Sequence, residues 1–385
     1  MTNKDASQEI VIVAPIPAEQ SGKSWQTLDL WARDVNAQAK LIRITIICPV
    51  SATYGVNLAP LDSSIRIVSE SDLIAVRKAV QVCTFVQIPG NFGYHGARVA
   101  RKVLRLARIE KKPVFLGISS DRARTTILNN RNRNVLRRLI AQCRAADIRF
   151  TQRRLAKQCH GVFVVGHGIS HLVEGSNSNI YISTASWVSR EDVNLESRPP
   201  SRMLNICMAG RLELMKGFHI GLDAIALLPN NLPCNVTIIG DGSEQKALSD
   251  QANRLKIKNL TLRQSVPYPE PFYAVLDKQD LILLTNLNDE QPRLVFDSIY
   301  RGAIPICPKS QAYVNLGLDA RLMYERGNAR DLSDCIYRLQ DYEVRKKIGL
   351  ELKQIARLYT IEEMHERRLD WMIHTTENKT KVESN

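Results

Sequence analysis

Along this chain, short apolar runs alternate with longer stretches whose apolar residues recur at helical spacing. Residues 9–14, 41–47, 65–68, 85–89, 113–117 and 161–165 are too short for helices, which predicts buried strands separated by helical or loop segments. A loop at 15–24 is expected to lead into a helix running to about residue 38. After residue 200 the rhythm resumes: strands at 203–209, 235–240 and 280–284 frame helices at 218–228 and 243–255, the latter with Leu248, Ala252 and Leu255 on one face. Strand and helix in alternation predict α/β architecture with parallel sheets, whose ligand sites lie outside the strand carboxyl ends. The chain closes on helices at 331–339, 342–358 and 361–373, where Leu369, Met372 and Ile373 offer an apolar stripe ahead of a polar tail.

A chain of 385 residues is too long for one compact core and suits two domains. Glu196-Ser-Arg-Pro-Pro-Ser201, polar and proline-rich, is the natural linker, which divides the chain into 1–198, 199–360 and a terminal helix with tail at 361–385. Hydrophobic content of 44% and charged content of 24% are those of a globular protein. No apolar run reaches the roughly 18–20 residues a bilayer span needs, and the first nine residues are polar, so a cytoplasmic location is expected. Eight scattered cysteines include no Cys-x2-Cys pair and are read as buried free thiols.

The formal net charge is +14, which calls for a polyanionic partner. Between Arg98 and Lys157 stand eighteen Lys or Arg against three acids, Glu110, Asp121 and Asp147. Arg101, Arg105, Arg108 and Lys112 fall at helical spacing, with Val103, Leu104 and Ala107 alongside. Basic helix faces flanked by apolar residues suit an anionic lipid surface, where each cation contributes about 1 kcal/mol. Solvated helix faces remain the alternative. Nucleic acid is not expected, because stacking aromatics are nearly absent from the segment.

Candidate chemistry gathers in the second half. Gly210-Arg211 and Lys216-Gly217 place two cations on a glycine-bounded loop just past a strand. Gly240-Asp241-Gly242 ends the next strand, and Asp289 and Asp297 stand eight apart ahead of Gly302-Ala-Ile-Pro305. Two such carboxylates can reach different hydroxyl groups of one extended ligand. A dinucleotide fingerprint is broken, since Gly240-Asp-Gly242 has no third glycine. Gly22-Lys-Ser24 is no P-loop either, because position 17 is proline.

The ordered set of Gly-Arg-x4-Lys-Gly, Gly-Asp-Gly and acid-x7-acid before Gly-x-x-Pro resembles the nucleotide-sugar half of a GT-B glycosyltransferase, similar to glycosyltransferase family four, over about 150 residues. The resemblance implies two Rossmann-like domains facing across a cleft, with the C-terminal helix crossing back onto the first. It implies transfer of a hexose from a nucleotide diphosphate sugar to a lipid-linked or polysaccharide acceptor, with retention, in cell-envelope glycan biosynthesis. Arg211 and Lys216 would neutralise the departing diphosphate in place of a metal, and the chain has no Asp-x-Asp. No cofactor or metal is expected.

Asp289 would hold a sugar hydroxyl and Asp297 the ribose. Gly22, Gly210, Gly240, Asp241, Gly242, Val266, Glu290, Gln291, Pro292, Arg293 and Leu294 would line the donor site. His95, Asp121 and His167, each past a strand end, are candidates for the sugar or acceptor. The family pattern carries glutamate at both acid positions and glycine after the first, where this chain has Asp289, Asp297 and Glu290. Those departures keep a second reading open, a catalytically degenerate partner or scaffold.

Overall fold

A computed structural model describes residues 8–51, 57–194, 203–314 and 316–383. The expected linker at 196–201 and the boundary at 198 lie outside them. Among the described residues the strands form three sheets. The first lobe holds seven parallel strands in the order Ile180–Ser183, Gly161–Val165, Val114–Ile118, Phe85–Pro89, Glu9–Val13, Arg43–Cys48 and Arg66–Ser69. The second holds six: Leu260–Arg263, Cys234–Ile239, Leu204–Ala209, Leu281–Leu283, Ile304–Pro308 and Met323–Tyr324.

Counted in chain order within its lobe, each sheet runs 3-2-1-4-5-6, the first continuing to a seventh strand. This is the doubly wound order, in which the chain reverses direction across the sheet between its first and fourth strands and opens a crevice there. Full burial on both faces explains why these strands read as continuous apolar runs: Ile10, Val11, Val86, Ile206 and Ile282 are wholly inaccessible.

The first loop departs from expectation. Residues 18–28 are a hairpin, Ala18–Ser21 paired antiparallel with Ser24–Leu28, which also pairs with Leu58–Pro60; the helix begins only at Asp29. Strand partners distant in sequence outweigh the weak helical spacing of these residues. The basic segment forms two long helices, Arg98–Ile109 and Val135–Ala156. Val103, Leu104 and Ala107 are buried against the first sheet, so they give that surface no apolar border. Most of the segment's exposed apolar residues stand instead on the second helix, Val135, Leu136, Leu139, Ile140 and Phe150, with Ile109 alone at the end of the first. No helix among the described residues is long and apolar enough to cross a membrane.

Six cysteines are buried and Cys234 is half-buried, while Cys143 is exposed on the 135–156 helix. Burial pushes the Cys48, Cys83 and Cys207 thiols up to about 12, which makes them inert. The last helix, Ile361–Glu383, runs ten residues past its expected end. It crosses onto the first lobe, where Met372 joins the core and Trp371 stacks on Tyr181 with ring centroids 5.3 Å apart.

Candidate active site

The two switch points open into one cavity of about 890 Å³. Ala14, Pro15, Pro89 and Asn91 reach it from the first sheet, and Gly210, Arg211, Leu284, Thr285 and Asn286 from the second. Facing strand ends across a cleft of this size suit a ligand with two differing halves, one per lobe.

On the second-lobe wall, Lys216 closes a short turn, Leu214–Lys216, that packs under the next strand end. Thr285 Oγ1 donates to the Lys216 carbonyl at 2.7 Å. Gly217 follows with φ +67, where a Cβ would collide with the Thr285 carbonyl, so only glycine lets these loops touch. Burial lowers the pKa of Lys216, opposed by the nearby Glu290 carboxylate. Arg211 is largely exposed and pairs with Glu213 at 2.8 Å, while the other Glu213 oxygen accepts from Asn129 of the first lobe at 3.2 Å. Gly240 and Asp241 line the cavity. Asp241 accepts from the Ser265 backbone at 3.1 Å and from its hydroxyl, fixing the stretch that presents Val266. Gly242 does not line the cavity; it lies against the Leu212 backbone instead.

The acid loop differs from its expected use. Asp289 is not among the cavity-lining residues. Its carboxylate is committed to Arg326, with Ser310 Oγ at 3.3 Å and Arg124 of the first lobe at 3.7 Å. Burial alone would raise its pKa, but the bond from Arg326 and the charges beside it hold the carboxyl below the usual range. The acid that faces the cavity is Glu290, which accepts from Thr125 Oγ1 at 3.3 Å. Gln291 is a strap: its oxygen accepts from the Ala185 amide at 3.1 Å and its nitrogen donates to the Ala312 carbonyl at 3.0 Å.

Pro292, Arg293 and Leu294 line the cavity, and Arg293 lays its guanidinium 3.2 Å from the centre of the Trp187 ring. Asp297, 4% exposed, reaches the cavity from the Leu294–Tyr300 helix. Its pKa is pushed up to about 6 by burial, against the pull of Arg293 and of the hydrogen bond from Tyr268.

The first-lobe candidates do not converge on the cavity. Gly22 sits at the hairpin tip with nothing near its Cβ position. His95 is exposed beside Tyr94, and His167 is exposed at the start of the His167–Leu172 turn. Asp121 is buried but caps the Arg122–Leu128 helix, accepting from the Arg124 amide at 2.8 Å. A strand-end position alone therefore misleads, because capping satisfies such a carboxylate locally.

What lines this wall instead includes Asn91, Ser119 and Thr184, with two charged residues the sequence reading passed over, Asp34 and Arg368, which the buried His365 joins from behind. His365 lies 3.2 Å from Asp34, and Arg368 contacts His365 at 2.7 Å and Gln38 at 3.2 Å. Burial and the Arg368 charge lower the His365 pKa. The clue was legible, since His365 and Arg368 fall in register with the apolar stripe of the last helix and so had to be buried. Tyr268 and Trp187, also on the cavity wall, stand in loops with no such pattern. Among the described residues no group of three or more His, Cys, Asp or Glu converges as a metal site requires.

Residues 191–349 match the family described as glycosyl transferases group 1. No curated protein matches the chain. Among solved structures, HepE of Anabaena in complex with UDP and glucose is 13% identical with a TM-score of 0.64, over 94% of this chain and 98% of that one. Sucrose-phosphate synthase of Thermosynechococcus elongatus is 10% identical with a TM-score of 0.66, over 98% and 99%. WaaG, a glycosyltransferase involved in lipopolysaccharide biosynthesis, is 10% identical with a TM-score of 0.64, over 94% and 99%. The second lobe is therefore similar to glycosyl transferases group 1, and the two doubly wound sheets that share one cavity give this chain the GT-B fold.

Proposed function

We propose that the protein moves a hexose from a nucleotide diphosphate sugar to a lipid-linked or polysaccharide acceptor in cell-envelope glycan synthesis, with retention and without a metal. The observation that carries the donor half is Lys216, packed under a strand end and lining a cavity large enough for a nucleotide sugar. Lys216 and the exposed Arg211, exchanging its Glu213 partner for phosphate, would offset the charge that grows on the departing diphosphate. HepE, which shares the fold, has been solved with UDP-glucose. Glu290 takes the sugar-hydroxyl role that the resemblance gives to position 289, because of the two adjacent acids it is the one that lines the cavity. WaaG's role in lipopolysaccharide biosynthesis supports an envelope acceptor.

The acceptor side rests on the 135–156 helix. Leu136, Leu139, Ile140 and Phe150 are exposed there among Arg137, Arg138, Arg144, Arg149 and Arg153, a combination that suits an anionic bilayer surface. The protein would then work at a membrane face without spanning it.

The test is a thermal-shift screen of nucleotide diphosphates and their sugars, followed by turnover with envelope lipid and with chelator present. UDP or GDP should raise the melting temperature, and Lys216→Ala should abolish the shift and lower kcat/KM by about 10²–10³-fold. Turnover lost to chelation overturns the metal-free mechanism. A second reading, a non-catalytic partner, is favoured by the commitment of Asp289 to Arg326. Binding of nucleotide with no release from any donor sugar would establish it.

A further inference from the structure

The carboxylate at 297 is one methylene shorter than the glutamate of the resembled family, yet something fills the gap. Tyr268 lines the cavity on the same stretch as Val266, and its hydroxyl lies 3.2 Å from Asp297 Oδ1. The Tyr268 hydroxyl also lies 2.6 Å from that of Tyr273, which is 2% exposed. Phe272 and Trp187 flank the Tyr268 ring, with centroids at 6.1 and 6.4 Å, and fix its orientation.

Proton counting sets the direction of this chain. An ionised Asp297 can only accept, so the single Tyr268 proton goes to it. The Tyr273 hydroxyl must then donate to Tyr268. A phenol oxygen has two lone pairs, and Tyr273 uses one. The other is left for a hydroxyl donor in the cavity. We infer that Tyr268 is a ribose-recognition residue, its phenol oxygen accepting from a ribose hydroxyl beside the Asp297 carboxylate and extending the reach that the shorter acid lost.

The inference rests on the nucleotide-sugar reading above and adds a residue and a direction to it. Burial raises the pKa of both phenols, so the chain stays protonated wherever Asp297 is ionised. The sugar ring supplies what the pair requires, a hydroxyl that donates to Tyr268 and another edge that meets Asp297. A deoxynucleotide supplies one fewer.

The experiment titrates UDP and GDP, with their 2′-deoxy and 3′-deoxy counterparts, into the unaltered protein, Tyr268→Phe, and the double variant Tyr268→Phe/Asp297→Glu. Phenylalanine keeps the ring packing, and a melting curve checks that it folds. The unaltered protein should bind one ribonucleotide about tenfold more tightly than one of its deoxy forms, the worth of a hydrogen bond shared with a charged group. In Tyr268→Phe that ratio should fall below about twofold with deoxynucleotide affinity unchanged, and the longer acid of the double variant should restore it. A ratio retained in Tyr268→Phe overturns the inference while leaving the donor reading intact. So does an equal loss for ribo and deoxy forms, which would make Tyr268 structural only. Failure of every nucleotide to bind the unaltered protein overturns the donor reading and this inference together.

Discussion

Asp289 and Asp297 are the same residue type in one segment, each a methylene short of the acid its position resembles, and their surroundings give them opposite uses. Asp289 lies on a loop within reach of cations from both lobes, Arg326 from the second and Arg124 from the first. Charge pairing lowers its pKa and removes it from the cavity. Asp297 sits a turn into a helix whose neighbours are Phe296, Ile299 and Tyr300, all buried. It has no ion pair within 4 Å among the described residues, and its carboxyl is raised to about 6. Whether a short acid lines the cavity or pairs within the scaffold is therefore decided by which cations the fold brings near it.

The largest effect should come from the acid that replaced Asp289 on the cavity wall. Glu290→Ala is expected to lower donor turnover by about 10²-fold and leave nucleotide diphosphate affinity within about threefold. Asp289→Asn should do the reverse, keeping turnover within about threefold while costing about 1–2 kcal/mol of stability, because Arg326 loses its counter-ion in a partly buried place. Steady-state kinetics and chemical denaturation of the two variants separate these roles, and equal kinetic losses would erase the contrast drawn above.

Asp297 should show its difference in pH. A carboxyl raised by burial from its ordinary value to about 6 holds a proton in the folded state that the unfolded chain has released. Its contribution is complete below about pH 4 and is lost as pH rises through about 6, so above that the buried charge costs on the order of 2–3 kcal/mol. Asp297→Asn is expected to gain stability at pH 8 relative to pH 4.5, read by denaturant midpoints at both. For Asp289, whose pKa is lowered, the sign reverses: its contribution is present above the ordinary carboxylate range and lost as pH falls. Matching pH profiles for the two variants would refute the assignment of environments.

The smallest effect belongs to the contact between lobes at Thr125 and Arg124. Arg124→Met removes a partly exposed partner of Asp289, 3.7 Å away, and should change stability by about 0.2–1 kcal/mol. A small-angle scattering profile that stays unchanged would show that this contact does not hold the lobes closed.

Much of the second lobe could be read without coordinates. The strand at Leu204–Ala209, the cationic loop after it and Gly240-Asp241 all fall where spacing puts them, because a buried parallel strand must be an apolar run and its loop must emerge at the carboxyl end. The first lobe's contribution was less legible. Asp121 and His167 follow strand ends as well, yet neither reaches the cavity, since a strand end sets where a loop begins but not where its side chains turn. The hairpin at 18–28 was hidden for a related reason: its pairing partner at Leu58–Pro60 lies some thirty residues away.

The sequence by itself determined the alternation of strands and helices, the two-lobed plan and the cation-bearing turn, because hydrophobic periodicity and glycine placement act over a few residues. Only the tertiary structure decided that Glu290 and not Asp289 lines the cavity, that Tyr268 hydrogen-bonds Asp297, and that His365 and Arg368 come back from the far end of the chain to Asp34. Those outcomes depend on charge and burial shared between residues distant in sequence, and no local pattern records which partners the fold will bring together.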